Sequence, residues 1–292
     1  MVCLDWNWND KMKNNEMITC DVLVIGRGLA GMAAAARTAA LGLDTVQAGS
    51  ASGLLLHSGL FDLLGVYPIE KKQILPDPEP GLVKLIADMP RHPYASVGVS
   101  NILKHMDFIK DLLKSGGLTY QNGNGQNQMV LTSAGTFKPS FLVPKTMVAG
   151  NRKLLKGKKV LIVGFKGLKA FSARHVADMI DPICEKAGDV TVELPGHIGE
   201  LTPLHLANLF ESNDLIDILA KTLRLKKVPK FDRIGFPAVL GLNQSEKIVQ
   251  TLEEKLGCPC FEIPGLPPSI PGQRLRNTFE KLLPHRNVRV LN

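Results

Sequence analysis

The chain has 292 residues, of which 45% are hydrophobic and 21% charged, and carries a formal net charge of +8. That is the size of one large domain or two ordinary ones with a full apolar core. Its apolar stretches are cut by charges such as Arg37, which argues against a membrane span, and aromatics are too few for an interleaved nucleic-acid motif, so no nucleic acid is expected. Cys3, Cys20, Cys184, Cys258 and Cys260 lack the spacing of a disulfide framework or a zinc site. The expectations are therefore no metal and a reducing, cytoplasmic compartment.

Residues 1–16 are polar and Asn-rich with no apolar signal-peptide core. Met17 stands just before the first strand pattern, so residues 1–17 read as a disordered tail or a start-site extension. The run Val22 to Ile25 suits a strand buried on both faces, and the alanine-rich run Ala33 to Ala40 suits a helix packed closely on a sheet. Between them lies Gly26-Arg27-Gly28-Leu29-Ala30-Gly31. In such a unit Gly26 permits the tight turn, Gly28 lets a phosphate approach the backbone, and Gly31 lets helix and strand touch. The helix N-terminus offers free N–H groups to the anion. The acid that usually ends the second strand and holds a ribose is missing. Leu43 to Ala48 is the strand candidate, Asp44 is at its wrong end, and Gln47 is the remaining polar side chain. The turn thus predicts a phosphate, with FMN and FAD both open.

Downstream, Gly49 to Gly53 is a Gly/Ser-rich loop, followed by Leu54 to Gly65. In a flavoprotein this segment runs past the cofactor, where His57 or Ser58 donates to a flavin carbonyl; the alternative is a polar turn before a buried segment. Prolines at 68, 76, 78 and 80 predict a linker. Asn101 to Ser115 has helical periodicity and stops at Gly116-Gly117, and Gln128 to Thr132 and Thr136 to Val143 are strand-like pieces around a bend at Ala134-Gly135. A second α/β block then alternates strands at 159–164, 189–194, 233–240 and 260–263 with helices ending near Ile180, across 203–222 and from Ser245 to Leu256. That alternation predicts a parallel sheet with helices on both sides. Lys166 in its first turn reads as a solvent-facing lysine. The basic clusters at 152–159 and 221–230 read as solvated faces, with a partner subunit or a membrane surface as the alternatives. The proline-rich stretch Leu266 to Asn277 predicts a loop aiming Ser269 and Arg274 at a ligand, Arg being suited to bidentate phosphate or carboxylate recognition; an ordinary helix N-terminus is the alternative.

An ordered set of motifs carries a family likeness: GRGLAG at 26–31, HSGLFDLLGVYP at 57–68, HPYASVG at 92–98, GTFKP at 135–139, KKVLIVGFKGLKAF at 158–171, FPAVLGL at 236–242 and LPPSIPGQRL at 266–275. Together they resemble the B subunit of anaerobic glycerol-3-phosphate dehydrogenase, a flavoprotein family. The resemblance implies an α/β fold in which a Rossmann-like flavin-binding domain is interrupted by a second α/β parallel-sheet domain. Its expected boundaries are 18–125 for the first part of the flavin domain, 126–263 for the insertion and 264–292 for the return segment. The family's chains run on past the equivalent of Asn292, so the flavin domain is expected to be incomplete here.

The same resemblance implies a flavin cofactor, FMN or FAD, with Gly26, Gly28 and Gly31 as cofactor residues and Ser58, Gly59 and Arg274 as further candidates. No catalytic residue is assigned, His57 and His92 being the motif histidines to test. The implied activity is oxidation of sn-glycerol 3-phosphate to dihydroxyacetone phosphate, with electrons passing to a quinone. An FAD-containing A-type subunit would be the catalytic partner and an iron–sulfur C-type subunit the membrane link, leaving this chain cytoplasmic and peripheral to the inner face of the membrane. The competing expectations are a truncated, non-catalytic scaffold or remnant, and some other FAD-dependent oxidoreductase.

Overall fold

The computed structural model describes residues 17–50, 52–196, 199–225 and 231–291. The tail expected at 1–17 lies outside these residues apart from Met17, as do Lys226, Lys227 and Lys230 of the second basic cluster. In chain order the elements are β1 (Val22–Ile25), α1 (Leu29–Ala40), β2 (Thr45–Ala48), α2 (Pro78–Asp88), α3 (Pro93–Val97), α4 (Val99–Ser115), β3 (Tyr120–Gln121), β4 (Gln128–Leu131), β5 (Phe137–Ser140) and β6 (Val143–Pro144). They continue with α5 (Arg152–Leu155), β7 (Lys159–Phe165), α6 (Ala173–Ile180), β8 (Lys186–Val192), α7 (Pro203–Leu209), α8 (Asn213–Leu225), β9 (Arg233–Pro237), α9 (Ser245–Leu256), β10 (Cys260–Ile263), α10 (Ile270–His285) and β11 (Val288–Leu291). The chain divides into two compact units, one formed by the N-terminal residues up to Ser50 with Leu283 onward, the other by Ala51–Leu282.

The first unit holds a three-stranded sheet in the order β1-β2-β11. Both pairings are parallel, and their registers align Val24, Gln47 and Val290 across the sheet. Helix α1 buries Met32, Ala35 and Ala36 completely. Alanine at positions 35 and 36 removes side-chain bulk and lets the helix axis come close to the strands, which brings the glycine turn at its N-terminus against the end of β2.

The second unit is built on a four-stranded parallel sheet in the order β10-β9-β7-β8. Six consecutive residues of β7, Val160 to Phe165, are buried, so both faces of the strand are covered. Its core gathers Val160, Ile162, Phe210, Phe236 and Phe261. The Phe261 ring occupies the space where Cβ atoms on Gly150 and Gly235 would sit, 2.6 and 2.7 Å from ring carbons, so these glycines are packing positions. Helices α6, α8 and α9 are amphipathic and bury Val176 and Ile180, Leu219 and Leu223, and Ile248 and Leu252 respectively.

Several elements differ from the expectations. The helical stretch expected across 203–222 is two helices, separated at Phe210–Ser212. The proline-rich linker is partly helical: Asp77 caps α2 by accepting from the Glu79 amide at 3.0 Å, and Pro78 and Pro80 fall in the first turn, where no backbone N–H is required. Strand β9 ends at Pro237, three residues short of the expected Leu240. The loop expected at 266–277 is helical from Ile270 onward, and Pro271 sits in that helix's first turn.

Candidate functional site

Strand β1 delivers the chain to Gly26, whose φ of +112° favours glycine. The Gly26 amide donates to the Ala48 carbonyl at 2.8 Å, which ties the turn to the end of β2. Gly28 is the N-cap of α1 in an extended conformation, and it supplies no side-chain cap. The first helical bond runs from the Met32 amide to the Gly28 carbonyl at 2.9 Å. The N–H groups of Leu29, Ala30 and Gly31 therefore precede the helical ladder, and the first turn carries no acid to compete for an anion.

The three glycines have different physical reasons. A Cβ on Gly31 would lie 2.1 Å from the Gly26 carbonyl oxygen, so the helix can approach the turn only with glycine there. A Cβ on Gly28 would meet no heavy atom within 4 Å, which leaves space above the helix end for an approaching group. Gly49, at φ +131°, would place a Cβ 3.3 Å from the Gly26 Cα, so the exit of β2 is pressed against the same turn. The turn thus fits a phosphate by its own construction: open space, aligned N–H groups and a positive helix end.

Two neighbours complete it. Gln47 is fully buried, and its Nε2 donates to the Gly26 carbonyl at 3.1 Å. Sequence reasoning offered this side chain to a ribose; the structure uses its amide nitrogen to hold the turn. Arg27 is buried between the first two glycines, with Nη1 3.5 Å from the Gly49 carbonyl. Asp44, by contrast, pairs with Arg289 at 2.7 Å at the opposite end of β2. Sequence reasoning passed over Arg27 and Gly49. A charged residue inside a glycine turn and a glycine directly after the second strand were the available signals.

The remaining predicted residues belong to the second unit, where two distant motifs meet. The Ser269 hydroxyl donates to the His57 carbonyl at 2.5 Å and accepts from the Gly272 amide at 2.9 Å, while the Ser269 amide donates to the Leu55 carbonyl at 2.8 Å. Gly59, at φ +85°, would place a Cβ 2.5 Å from the Pro271 Cβ, and its carbonyl accepts from the Tyr120 hydroxyl at 2.9 Å. The Ser58 hydroxyl accepts from the Leu60 amide at 3.4 Å. The 57–68 and 266–275 segments are thus one packed assembly, and Ser58 and Gly59 stand in its turn.

Within that assembly His57 Nδ1 accepts from the Gly59 amide at 3.1 Å. An acceptor Nδ1 puts the single ring proton of a neutral imidazole on Nε2. Burial lowers the His57 pKa, with the nearby Asp62 charge opposing and Lys138 assisting. His92 has a local role: its Nδ1 accepts from the Tyr94 amide at 3.1 Å and caps α3.

Arg274 departs from the expectation that a loop aims it at a ligand. It lies inside α10 at 4% exposure, and its guanidinium reaches the Glu262 carboxylate at 2.6 and 2.8 Å and the Gly241 carbonyl at 2.7 and 2.9 Å. Glu262 also accepts from the Leu240 amide at 2.9 Å. The physical reason is burial: a guanidinium in the core requires a carboxylate and carbonyls around it, and the chain supplies both. Ser269 likewise engages backbone groups of its own unit.

Among the described residues no group of three or more His, Cys, Asp or Glu side chains is placed to hold a metal ion. No helix among them is long and apolar enough to cross a membrane.

Residues 21–290 match the family model described as FAD binding domain. The chain is 33% identical over 292 residues to the B subunit of a probable anaerobic glycerol-3-phosphate dehydrogenase from Halobacterium salinarum, a match covering 94% of this chain and 65% of that protein. It is 30% identical over 270 residues to the B subunit of the anaerobic glycerol-3-phosphate dehydrogenase from Pectobacterium atrosepticum, covering 89% and 63%. With the corresponding protein of Vibrio vulnificus the identity is 26% over 278 residues, covering 91% and 62%. The chain therefore spans a little under two thirds of the length of these curated relatives. No solved structure matches it.

Proposed function

The chain belongs to the FAD binding domain family, and on that premise we propose that it is the flavin-holding part of an anaerobic glycerol-3-phosphate dehydrogenase subunit. The observation that carries this reading is the turn at Gly26 to Gly31, where open space at Gly28 faces the N–H groups at the start of α1. In this reading the backbone at Gly26, Gly28 and Gly31 receives a cofactor phosphate, and Gln47 keeps the Gly26 carbonyl in place beneath it. A flavin, when bound, exchanges a hydride for single electrons. Ser58 and Gly59 stand in the turn that packs against the 266–275 segment, which Arg274 positions through Glu262.

The activity proposed for the assembled enzyme is oxidation of sn-glycerol 3-phosphate to dihydroxyacetone phosphate, with two electrons delivered onward to a quinone. An FAD-containing A-type subunit performs the substrate oxidation, and a C-type iron–sulfur subunit joins the complex to the cytoplasmic face of the membrane. The relatives' names and the ordered motifs support this assignment.

The test is to purify the chain with an A-type partner, release its flavin and separate FAD from FMN. Dye reduction is then compared with glycerol 3-phosphate, succinate and NADH as donors. The reading expects bound FAD and turnover with glycerol 3-phosphate. A folded complex that carries no flavin on this chain, or one reduced by NADH and not by glycerol 3-phosphate, overturns it.

A further inference from the structure

Helix α9 and the turn at Lys145–Gly150 line a cleft of about 490 Å³ in the second unit, a volume in the range of small-molecule sites. Two carboxylates line it from α9. Glu246 and Glu253 stand two helical turns apart, which puts them on one face of the helix with Cα atoms about 10 Å apart. Each is anchored through one oxygen by a backbone amide: Glu246 Oε1 accepts from Thr119 at 2.6 Å, and Glu253 Oε1 accepts from Cys260 at 3.0 Å. The second oxygens are less engaged. Glu246 Oε2 meets the Lys145 ammonium at 4.0 Å, the outer limit of an ion pair, and the Lys145 side chain is 57% exposed. Val249, between the two carboxylates on α9, and Val148 give the cleft apolar surface.

Thr146 is an independent sign of a ligand site. It lines the same cleft at 4% exposure, and its hydroxyl has no hydrogen-bond partner among the described residues. A buried hydroxyl in that condition is an acceptor that a ligand's N–H can satisfy.

We propose that this cleft binds a linear aliphatic polyamine of the spermidine class. One terminal ammonium takes the Glu246 end, where it donates to Glu246 Oε2 and the Thr146 hydroxyl. The other donates to Glu253 Oε2, and the methylene run between them lies along Val249 and Val148. The spacing of the carboxylates is one that an extended triamine spans, and an ammonium–carboxylate hydrogen bond at each end is of the strong, charge-assisted kind. Two carboxylates against one half-exposed ammonium favour a cation over an anion, and Lys145 has solvent beside it into which it can withdraw. The chain as a whole carries a net charge of +8, so no overall attraction draws a polycation to it and the affinity has to arise at this local pair.

The experiment titrates the full chain with spermidine, 1-butylamine and magnesium chloride in separate calorimetric runs at one ionic strength. Wild type is expected to bind one spermidine, at least ~10-fold more tightly than 1-butylamine, which can satisfy only one end. Magnesium at the concentration of spermidine is expected not to displace it. E246Q and E253Q keep an oxygen for the Thr119 and Cys260 amides but remove the charge, and each is expected to weaken spermidine at least ~10-fold while urea midpoints confirm the fold. T146V, which replaces the hydroxyl by a methyl group, is expected to weaken spermidine by at least ~3-fold without lowering stability. Equal affinity for spermidine and 1-butylamine in wild type overturns the proposal without any variant. Displacement by magnesium, or spermidine affinity unchanged in E253Q or T146V, overturns it as well. The cleft stands apart from the flavin assignment, and neither readout depends on bound flavin.

Discussion

At the scale of single residues, the glycine turn separates two functions that share one motif. Gly31 is fixed by contact, because any Cβ there runs into the Gly26 carbonyl, whereas Gly28 faces open space at a negative φ that other residues adopt freely. Gly31→Ala is expected to cost about 1–3 kcal/mol of stability through this overpacking and to lose flavin as well. Gly28→Ala is expected to leave apoprotein stability within about 0.5 kcal/mol of wild type while sharply reducing flavin retention. Urea midpoints together with the flavin-to-protein ratio distinguish the two variants. Equal destabilisation by both would refute this division of roles.

At the scale of elements, the buried pair of Arg274 and Glu262 joins α10 to β10 and to the residues after β9. Glu262 is 1% exposed and accepts from Arg274 and from the Leu240 amide, while Arg274 also reaches the Leu240 and Gly241 carbonyls. Removing one charge leaves the other buried without its counter-charge. Glu262→Gln is therefore expected to destabilise the chain by about 3–5 kcal/mol. The double variant Glu262→Leu with Arg274→Met is expected to recover much of that loss, because two apolar groups of similar volume leave no isolated charge. Urea denaturation of the singles and the double measures the coupling; a Glu262→Gln loss below about 1 kcal/mol contradicts the assignment.

The element scale also shows why the 266–275 segment misled a reading from sequence. Three prolines and a serine are loop signals, yet Pro271 needs no N–H in the first turn of α10, and Ser269 satisfies the Gly272 amide in that turn. Arg274 carried a ligand-binding signature in its residue type alone. Its true partner, Glu262, is separated from it by the turn between β10 and α10, and only packing reveals that the two meet. The His57 motif shows the same effect, because its carbonyl partner Ser269 lies 212 residues along the chain.

At the scale of the whole molecule, the two units differ in how their strands are shielded: β7 lies inside its sheet between β9 and β8, whereas β1 is an edge strand of the β1-β2-β11 sheet. Strand β7 is buried over six consecutive residues, while β1 exposes Leu23 to 55% and Ile25 to 84%. Amides of Val160 to Val163 are expected to exchange with deuterium far more slowly than those of Val22 to Ile25, since strands shielded on both faces open only with the core around them. Exchange measured by mass spectrometry on the native chain tests this, and equal protection of the two strands contradicts it.

The sequence by itself determined the parallel α/β alternation, the phosphate-type turn and its three glycines, and the family likeness, because each of these is written in local spacing: a strand, a tight turn and a helix require their residues in a fixed order. The tertiary structure decided what those residues touch. It turned Gln47 toward the Gly26 carbonyl, closed Arg274 onto Glu262 and seated Ser269 against the His57 carbonyl. Burial is the reason for the difference. A polar group taken out of water must find its partner wherever the fold places one, and sequence distance carries no record of that choice.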